Sequence, residues 1–250
     1  MIKDEPNKIF YHCGDRMFLK KGILIVGVFL LLGGILILLG KDSSKEVKEQ
    51  DLDLTLKSVV TTYEHNNKIS IYYPVTDYQK LNKVIEVKIN EYVTSFKKTL
   101  EDYKVQPNQI YTLDISYESY EYLDYLSFYF KVSMYTGGAH PIPSIFTITY
   151  NKKNNSFMTI SSLVKNNKGL LETLSSYSFQ TLLKNNSVFQ DKNVLSMLIE
   201  GTKPDLENFK HFVVTSDGLL FFFPPYQIAP YSSGGFMLLV PYDVLNIELD

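Results

Sequence analysis

The hydrophobic pattern begins with an uninterrupted apolar run at residues 22–40, GILIVGVFLLLGGILILLG, which contains no charged residue. At 1.5 Å per residue, a helix of this length spans roughly 28 Å, close to the ~30 Å hydrocarbon core of a bilayer. Arg16, Lys20 and Lys21 precede the run, and such a cluster favours the cytoplasmic side. The pattern predicts a single-pass cell-membrane protein with residues 1–21 in the cytoplasm and an extracellular C-terminal part.

A cleaved signal peptide is the alternative interpretation of this run. The apolar region of a signal peptide is usually about 7–15 residues long and ends at an A-x-A-like site. Here the run is longer and ends Leu-Leu-Gly-Lys-Asp. We therefore expect an uncleaved anchor, followed by a polar stalk at residues 41–54.

The first part of the exterior region combines a hairpin with a long helix. Residues 57–63 and 68–75 are rich in β-branched and tyrosine residues and flank a turn at His65-Asn66-Asn67, which predicts two paired strands. From Leu81 to Tyr103, apolar residues recur at steps of three and four, which predicts an amphipathic helix that ends before Pro107.

The remaining pattern alternates between strands and helices. Residues 111–150 show period-two alternation, which predicts an antiparallel meander with one buried face. Helical spacing covers much of residues 159–200, and strands return up to residue 240, before a short helix at 242–247. The sequence predicts an α+β fold, an antiparallel sheet with helices packed on it. We divide it into a small α+β subdomain at 55–105 and a main domain at 106–250.

Composition excludes several classes of protein. The formal net charge is −2 and Arg16 is the only arginine, so we expect no nucleic-acid partner. Cys13 is the only cysteine and lies before the apolar run, so the exterior part has no disulfide. Its stability has to come from packing, for which the chain supplies 19 Tyr and 16 Phe.

The search for catalytic machinery is negative. The four histidines, at 12, 65, 140 and 211, form no pair at metal-ligand spacing, and no nucleophile elbow or phosphate-binding glycine loop occurs. The carboxylates of Asp114, Glu118, Glu121 and Asp124 are close enough in sequence to pair as acid and base. They also fit the solvated face and turn of a hairpin. We therefore predict no catalytic residue, no metal and no cofactor, and interpret the chain as a non-enzyme.

Two loops stand out from this background. The first is YTGGAHPIP at residues 135–143, and the second is FFPPYQIAPYSSGG at residues 222–235. Glycine and proline give such loops fixed, unusual backbone paths. We predict a ligand-binding surface formed by Tyr135, His140, Tyr226 and Tyr231. The alternatives are that His140 bonds to its own loop backbone and that the tyrosines cover the edge of the sheet.

The same loops carry a family resemblance. YTGGAHP, then TISSLV, then FFFPPYQIAPYSSGG and VPYDVL occur in the order of an exported domain family. The chain resembles this family over about residues 55–249. Its members include the exterior domains of the lysozyme-sensing anti-sigma factor RsiV and of the peptidoglycan deacetylase PdaC. The resemblance implies an α+β exterior domain at a Gram-positive-type cell surface, without one activity. The separate metal-dependent catalytic domain of the deacetylases and the long cytoplasmic segment of the anti-sigma factors have no counterpart here.

These observations favour a membrane-anchored binding or sensing protein of the cell envelope, with lysozyme-like protein or peptidoglycan as its ligand. One alternative is a peptidoglycan-modifying enzyme with an unrecognised site around His140, Asp114 and Glu118. The other is a structural surface protein whose exterior domain self-associates.

Overall fold

The structure is a computed structural model of the chain, and it describes residues 55–63, 67–102 and 108–249. The predicted cytoplasmic tail, transmembrane helix and stalk lie outside these residues. Within the described ranges, no helix combines the length and the apolar character needed to cross a membrane. The described residues belong to one compact unit.

The first layer is a six-stranded sheet whose strands follow one another in chain order. β1 (Thr55–Tyr63) and β2 (Asn67–Val75) form the predicted antiparallel hairpin. The other strands are β3 (Tyr111–Tyr122), β4 (Tyr125–Tyr135), β5 (Ile142–Asn151) and β6 (Ser156–Met158). Strands β3 to β6 form an antiparallel meander, as the period-two pattern predicted. The short strand β6 was not predicted.

Helix α1 (Gln79–Asp102) confirms the amphipathic helix that the spacing of Leu81 to Tyr103 predicted. Its buried positions are the periodic apolar residues Leu81, Ile85, Ile89, Phe96 and Leu100. The Asn82 side chain holds the helix start, because its Oδ1 accepts from the Thr76 backbone N–H at 2.9 Å. On the sheet, the ring of Tyr92 stacks on Phe146 of β5 at 5.7 Å. Helix α1 therefore covers the face of the sheet that carries Phe130 and Phe146.

The prediction of a purely antiparallel sheet is wrong at one pair of strands. β2 and β3 run parallel, from Asn67 opposite Tyr111 to Ile71 opposite Ile115. Parallel neighbours need a long crossover between them, and α1 is that crossover. The continuous sheet thus extends across the division at residues 105 and 106, and the division into two domains stays a prediction.

The second layer contains a small sheet and a group of helices. The antiparallel strands β7 (Phe212–Val214), β8 (Gly218–Phe223) and β9 (Phe236–Pro241) form the sheet. The helices are α2 (Ile160–Asn166), α3 (Leu170–Asn185), α4 (Lys192–Thr202) and α5 (Tyr242–Leu245). Leu174, Leu198, Phe209 and Phe221 lie in the core that these elements share. The helices and strands predicted for residues 159–247 are confirmed in type, and their ends differ by a few residues.

β4 is buried on both faces along part of its length, which contradicts the expectation of one solvated face. Six consecutive residues from Tyr125 to Phe130 are buried. Leu126, Phe128 and Phe130 face one side of the sheet, as the alternation predicted. Tyr125, Ser127 and Tyr129 were expected to face water. Instead, the second layer covers them, and the ring of Tyr129 stacks on Phe222 of β8 at 3.9 Å.

The two layers meet where the edge strand β7 lies against the face of the large sheet. We call this contact the hydroxyl seam: Ser127, Thr147 and Thr149 on the large sheet, with the backbone of β7. The Phe212 N–H donates to Thr147 Oγ1 at 3.1 Å, and the Val214 N–H donates to Ser127 Oγ at 3.2 Å. Ser127 Oγ and Thr149 Oγ1 lie 3.1 Å apart and share a hydrogen bond. Thr149 Oγ1 also donates to the Phe212 carbonyl at 3.5 Å. The three hydroxyls thus satisfy an edge that would otherwise be buried without partners.

Removing the central hydroxyl is expected to destabilise the fold. Ser127 is fully buried, and Ser127→Ala leaves the Val214 N–H without its acceptor. We expect a loss of about 1–3 kcal/mol in the free energy of unfolding, since a buried donor without a partner bears its full desolvation cost. Urea denaturation followed by tyrosine fluorescence measures this loss. Ser133→Ala, on the same strand but half-buried, is the control, and an equal loss in both variants would contradict the role of the seam.

Stability is also expected to depend on His211, which directly precedes β7. Burial, and then the nearby charge of Lys210, lowers the pKa of His211 to about 4, while Glu207 acts in the opposite direction. The unfolded chain binds this proton with an ordinary pKa of about 6.5. The stabilisation from neutral His211 is therefore complete above pH 6.5 and is lost as the pH falls toward 4.

The variant His211→Gln is expected to lack this pH dependence. In the parent protein, it amounts to up to about 3 kcal/mol, from the pKa difference. Urea midpoints measured between pH 7 and pH 4 test it. His140→Gln should retain the decline, and an unchanged decline in His211→Gln would show that other groups cause it.

Candidate ligand-binding surface

The structure brings together three of the four predicted site residues. The rings of His140 and Tyr231 stack with centroids 4.1 Å apart and planes 12° apart. On Tyr231, the ring of Tyr226 stacks at 5.8 Å and 27°. We call this arrangement the ring stack: His140, Tyr231 and Tyr226. It joins the loop between β4 and β5 to the loop between β8 and β9, which belong to different sheets.

The first loop holds His140 through a short, glycine-dependent path. Gly137 has φ of +96°, and a Cβ there would lie 3.2 Å from the Tyr111 ring. His140 Nδ1 lies 2.9 Å from the carbonyl oxygen of Pro141. A carbonyl only accepts, so Nδ1 donates and Nε2 remains available as an acceptor in the neutral ring. His140 therefore bonds to its loop backbone, as one of the two alternatives predicted, and its ring also takes part in the stack.

Tyr135 lies at the start of the same loop, and its hydroxyl bonds to Gln109. Its hydroxyl accepts from Gln109 Nε2 at 2.7 Å, and Gln109 Oε1 accepts from the Tyr111 hydroxyl at 3.4 Å. These bonds tie the end of β4 to the start of β3. The structure therefore places Tyr135 as a support of the loop and records no stacking between it and the other three rings.

The second loop presents Tyr226 in a strained backbone conformation. The Gln227 N–H donates to the Pro224 carbonyl at 3.1 Å, which closes a turn with Pro225 and Tyr226 at its centre. Tyr226 has φ of +72°, a value that such turns usually assign to glycine or asparagine. For a bulky residue this region costs on the order of 1–3 kcal/mol and persists only where the surroundings enforce it.

The contacts that hold the turn at Tyr226 come from the residues that follow it and from α4, and the sequence patterns did not identify them. Gln227 Nε2 donates to the Gly201 carbonyl at 3.0 Å and to the Asn208 carbonyl at 2.9 Å. Gly201 lies at the end of α4, where a Cβ would come within 2.2 Å of the Gln227 carbonyl oxygen. Ile228 and Ala229 are buried beside it. A glycine directly after the predicted helical segment, which ended at residue 200, is the one available signal for such a close approach.

A short 3-10 turn at Tyr231–Ser233 orients the central ring of the stack. The Ser233 N–H donates to the Pro230 carbonyl at 2.9 Å, and the Gly234 N–H donates to the Tyr231 carbonyl at 2.9 Å. His140 and Tyr226 are exposed, with 58% of Tyr226 accessible, whereas Tyr231 is half-buried between them. The stack thus presents aromatic surface to solvent from a backbone that hydrogen bonds hold in place.

Two of the four carboxylates of the acidic stretch, Glu118 and Glu121, form ion pairs outside the ring stack. Glu118 Oε1 accepts from Lys131 Nζ at 2.5 Å, and Glu118 Oε2 accepts from the Tyr120 hydroxyl at 2.9 Å. Partial burial, and then the charge of Glu118, raises the pKa of Tyr120. Glu121 pairs with Lys152. In the part of the chain that the structure describes, no group of three or more histidine, cysteine or carboxylate side chains is placed to hold a metal ion.

Comparison with known proteins identifies the class to which this fold belongs. Residues 59–143 match the family model described as deacetylase PdaC, and residues 161–243 match the protein family of unknown function DUF3298. The chain is 27% identical over 165 residues to the peptidoglycan-N-acetylmuramic acid deacetylase PdaC of Bacillus subtilis (strain 168). That match covers 64% of this chain and 34% of the relative, so it spans about a third of the deacetylase.

Two solved structures share the fold. A DUF3298 family protein from Pseudomonas aeruginosa PAO1 has a TM-score of 0.58 and 16% identity, and the match covers 78% of this chain and 91% of that one. A DUF3298 family member from Bacteroides fragilis NCTC 9343 has a TM-score of 0.53 and 19% identity, with coverage of 79% and 94%. The described residues therefore share the α+β fold of these two structures. The chain contains a PdaC/DUF3298 family domain, and the resemblance inferred from its loops is confirmed.

The close approach at Gly201 is expected to control the position of the second loop. In Gly201→Ala, the new methyl group meets the Gln227 carbonyl oxygen, so the turn that carries Tyr226 has to shift. We expect a loss of about 1–3 kcal/mol in the free energy of unfolding, measured by urea denaturation. Gly138→Ala is the control, because its Cβ has only the His140 carbonyl oxygen nearby, at 3.9 Å. Equal stability of the two variants would contradict the close packing.

Proposed function

We propose that this protein is a membrane-anchored, extracytoplasmic binding protein that holds the glycan of the cell wall on its ring stack. The observation that carries the proposal is the stacking of His140, Tyr231 and Tyr226 across two loops from different sheets. The relation to PdaC, a protein named for its action on peptidoglycan, supports a ligand in the wall.

The chemistry of the stack suits a sugar polymer. Aromatic rings are amphipathic, with an apolar face for the C–H groups of a pyranose and a polar edge for its hydroxyls. Tyr226 supplies an exposed ring, His140 supplies a ring whose Nε2 can accept, and Ser232 lies exposed between the loop residues. A flat aromatic surface with few charges fits an uncharged or weakly charged glycan better than a strongly ionic ligand.

The backbone of the site supports binding by preorganisation. The strained turn at Tyr226 is fixed by Gln227, and the 3-10 turn at Tyr231 is closed by two backbone bonds. A surface that is already ordered loses less conformational entropy when a ligand arrives. In this proposal, the span predicted at residues 22–40 would hold the surface outside the membrane, next to the wall.

A lysozyme-like protein is the second ligand that the sequence suggested, and the binding experiment below tests it separately.

A catalytic role for His140 with Asp114 and Glu118 has less support, because Glu118 is already bound to Lys131 and Tyr120. His140 is likewise committed to the stack and to the Pro141 carbonyl.

The expected effect of removing the central ring is a loss of glycan binding. Full-length protein in non-ionic detergent is mixed with insoluble peptidoglycan, and the retained fraction gives an apparent Kd. We expect Tyr231→Ala to weaken retention at least about tenfold, which corresponds to about 1.4 kcal/mol. Tyr72→Ala removes an exposed tyrosine outside the stack and should leave retention unchanged.

Three outcomes of this experiment decide the proposal. Retention of the parent protein, with loss in Tyr231→Ala alone, supports it. No retention by peptidoglycan, with capture by immobilised lysozyme, would replace the glycan by a protein ligand. Release of soluble products from peptidoglycan, with loss of that release in His140→Gln, would favour the enzyme instead.

A further inference from the structure

The edge of β3 is open along half of its length. The parallel pairing of β2 with β3 ends at Ile71 and Ile115, but β3 continues to Tyr122. From residue 116 onward, β3 pairs with β4 on one side. The residues that the structure describes provide no strand on its other side.

Local chemistry explains why the two strands separate. β2 remains paired with β1 as far as Val75, which lies opposite Thr55, so the hairpin continues while β3 diverges from it. Pro74 has no N–H to offer a neighbouring strand and lies three residues past the last residue paired with β3. The chain then leaves β2 at Val75 and enters α1 at Gln79, so no further residue of β2 is left to pair with the end of β3.

A hollow of about 590 Å³ occupies the resulting gap. It is lined by Tyr72 of β2 and by residues Ser116, Tyr117, Glu118, Ser119 and Tyr120 of β3. Tyr72 is 43% exposed on the opposite wall. The gap therefore combines a free strand edge with aromatic surface on both sides.

This edge lacks several of the features by which proteins usually block strand addition, and its charged residues, Glu118 and Glu121, are both acidic. Lysine, proline or a bulge on an edge strand prevents another chain from pairing with it. Residues 116–122, SYESYEY, contain neither lysine nor proline. The only charged residue that lines the hollow is Glu118. Lys131, which binds Glu118, belongs to β4, and β4 pairs with the other edge of β3.

We propose that the open edge of β3 binds an extended, lysine- or arginine-bearing segment of a partner polypeptide as an added strand. An extended backbone is the ligand whose N–H and C=O groups repeat at the spacing of such an edge. Positive side chains on the added strand share the exposed carboxylate of Glu118 with Lys131 and meet the face of Tyr72. None of these residues belongs to the ring stack, so the two sites are independent.

The test uses full-length protein in non-ionic detergent and a labelled ten-residue peptide of alternating lysine and valine. A second peptide has the same sequence with every backbone amide methylated, which keeps its charges but removes its donors. Fluorescence anisotropy gives both affinities. We expect the methylated peptide to bind at least about tenfold more weakly, because it cannot form the strand ladder.

Two variants locate the site on the protein. Ser119→Lys places a positive charge on the open edge and should weaken binding of the first peptide at least about tenfold. Ser161→Lys makes the same change at an exposed serine of α2 and should have no effect. Neither variant is expected to alter retention by peptidoglycan, which separates this site from the glycan site.

Hydrogen exchange distinguishes strand addition from attraction by charge alone. On binding to the parent protein, amides within residues 116–121 should exchange more slowly, and this readout does not depend on any variant folding. Equal binding of both peptides, absence of binding, or protection confined to other residues would each overturn the proposal.

Discussion

The arrangement of this domain depends on how the edge of a small sheet is satisfied against the face of a large one. β7 has β8 on one side, and on the other side its N–H groups donate to Thr147 and Ser127. A buried strand edge without partners is costly, and hydroxyl side chains on the face of β4 and β5 supply them. The stacking of Tyr129 on Phe222 adds apolar burial at the same contact. These contacts therefore fix the position of the small sheet on the face of the large sheet.

The ring stack depends on this fixed position of the two sheets. His140 follows β4, whereas Tyr226 and Tyr231 lie between β8 and β9, so their rings meet because the hydroxyl seam fixes the two sheets. Local bonds then set the details, through the turn at Tyr226 and the amide of Gln227. The strain stored at Tyr226 is tolerated because Gly201 allows the turn to pack closely against α4. A surface in loops thus acquires the rigidity of the sheets and helix beneath it.

The open edge of β3 has a different origin, in the mixed topology of the large sheet. The hairpin of β1 and β2 is added to the meander by a parallel pairing that lasts only to Ile71. Pro74 has no N–H to offer, and β2 ends at Val75, so the end of β3 is left without a neighbour on that side among the described residues. The ring stack and the open edge are consequently two surfaces with unrelated causes. One follows from contact between the sheets and the other from the end of a pairing within one sheet.

The sequence by itself determined the local elements and the residues of greatest interest. The three- and four-residue spacing of Leu81, Ile85 and Ile89 predicted α1, and alternation predicted β3 and β4, because each period reflects one buried side of a helix or strand. The unusual glycine and proline loops identified His140, Tyr226 and Tyr231, whose rings the structure places together. Only the tertiary structure decided the parallel pairing of β2 with β3, the burial of Ser127 and Tyr129, and the separate position of Tyr135. Each of these depends on a partner distant in the chain, and periodicity within a segment carries no information about such a partner.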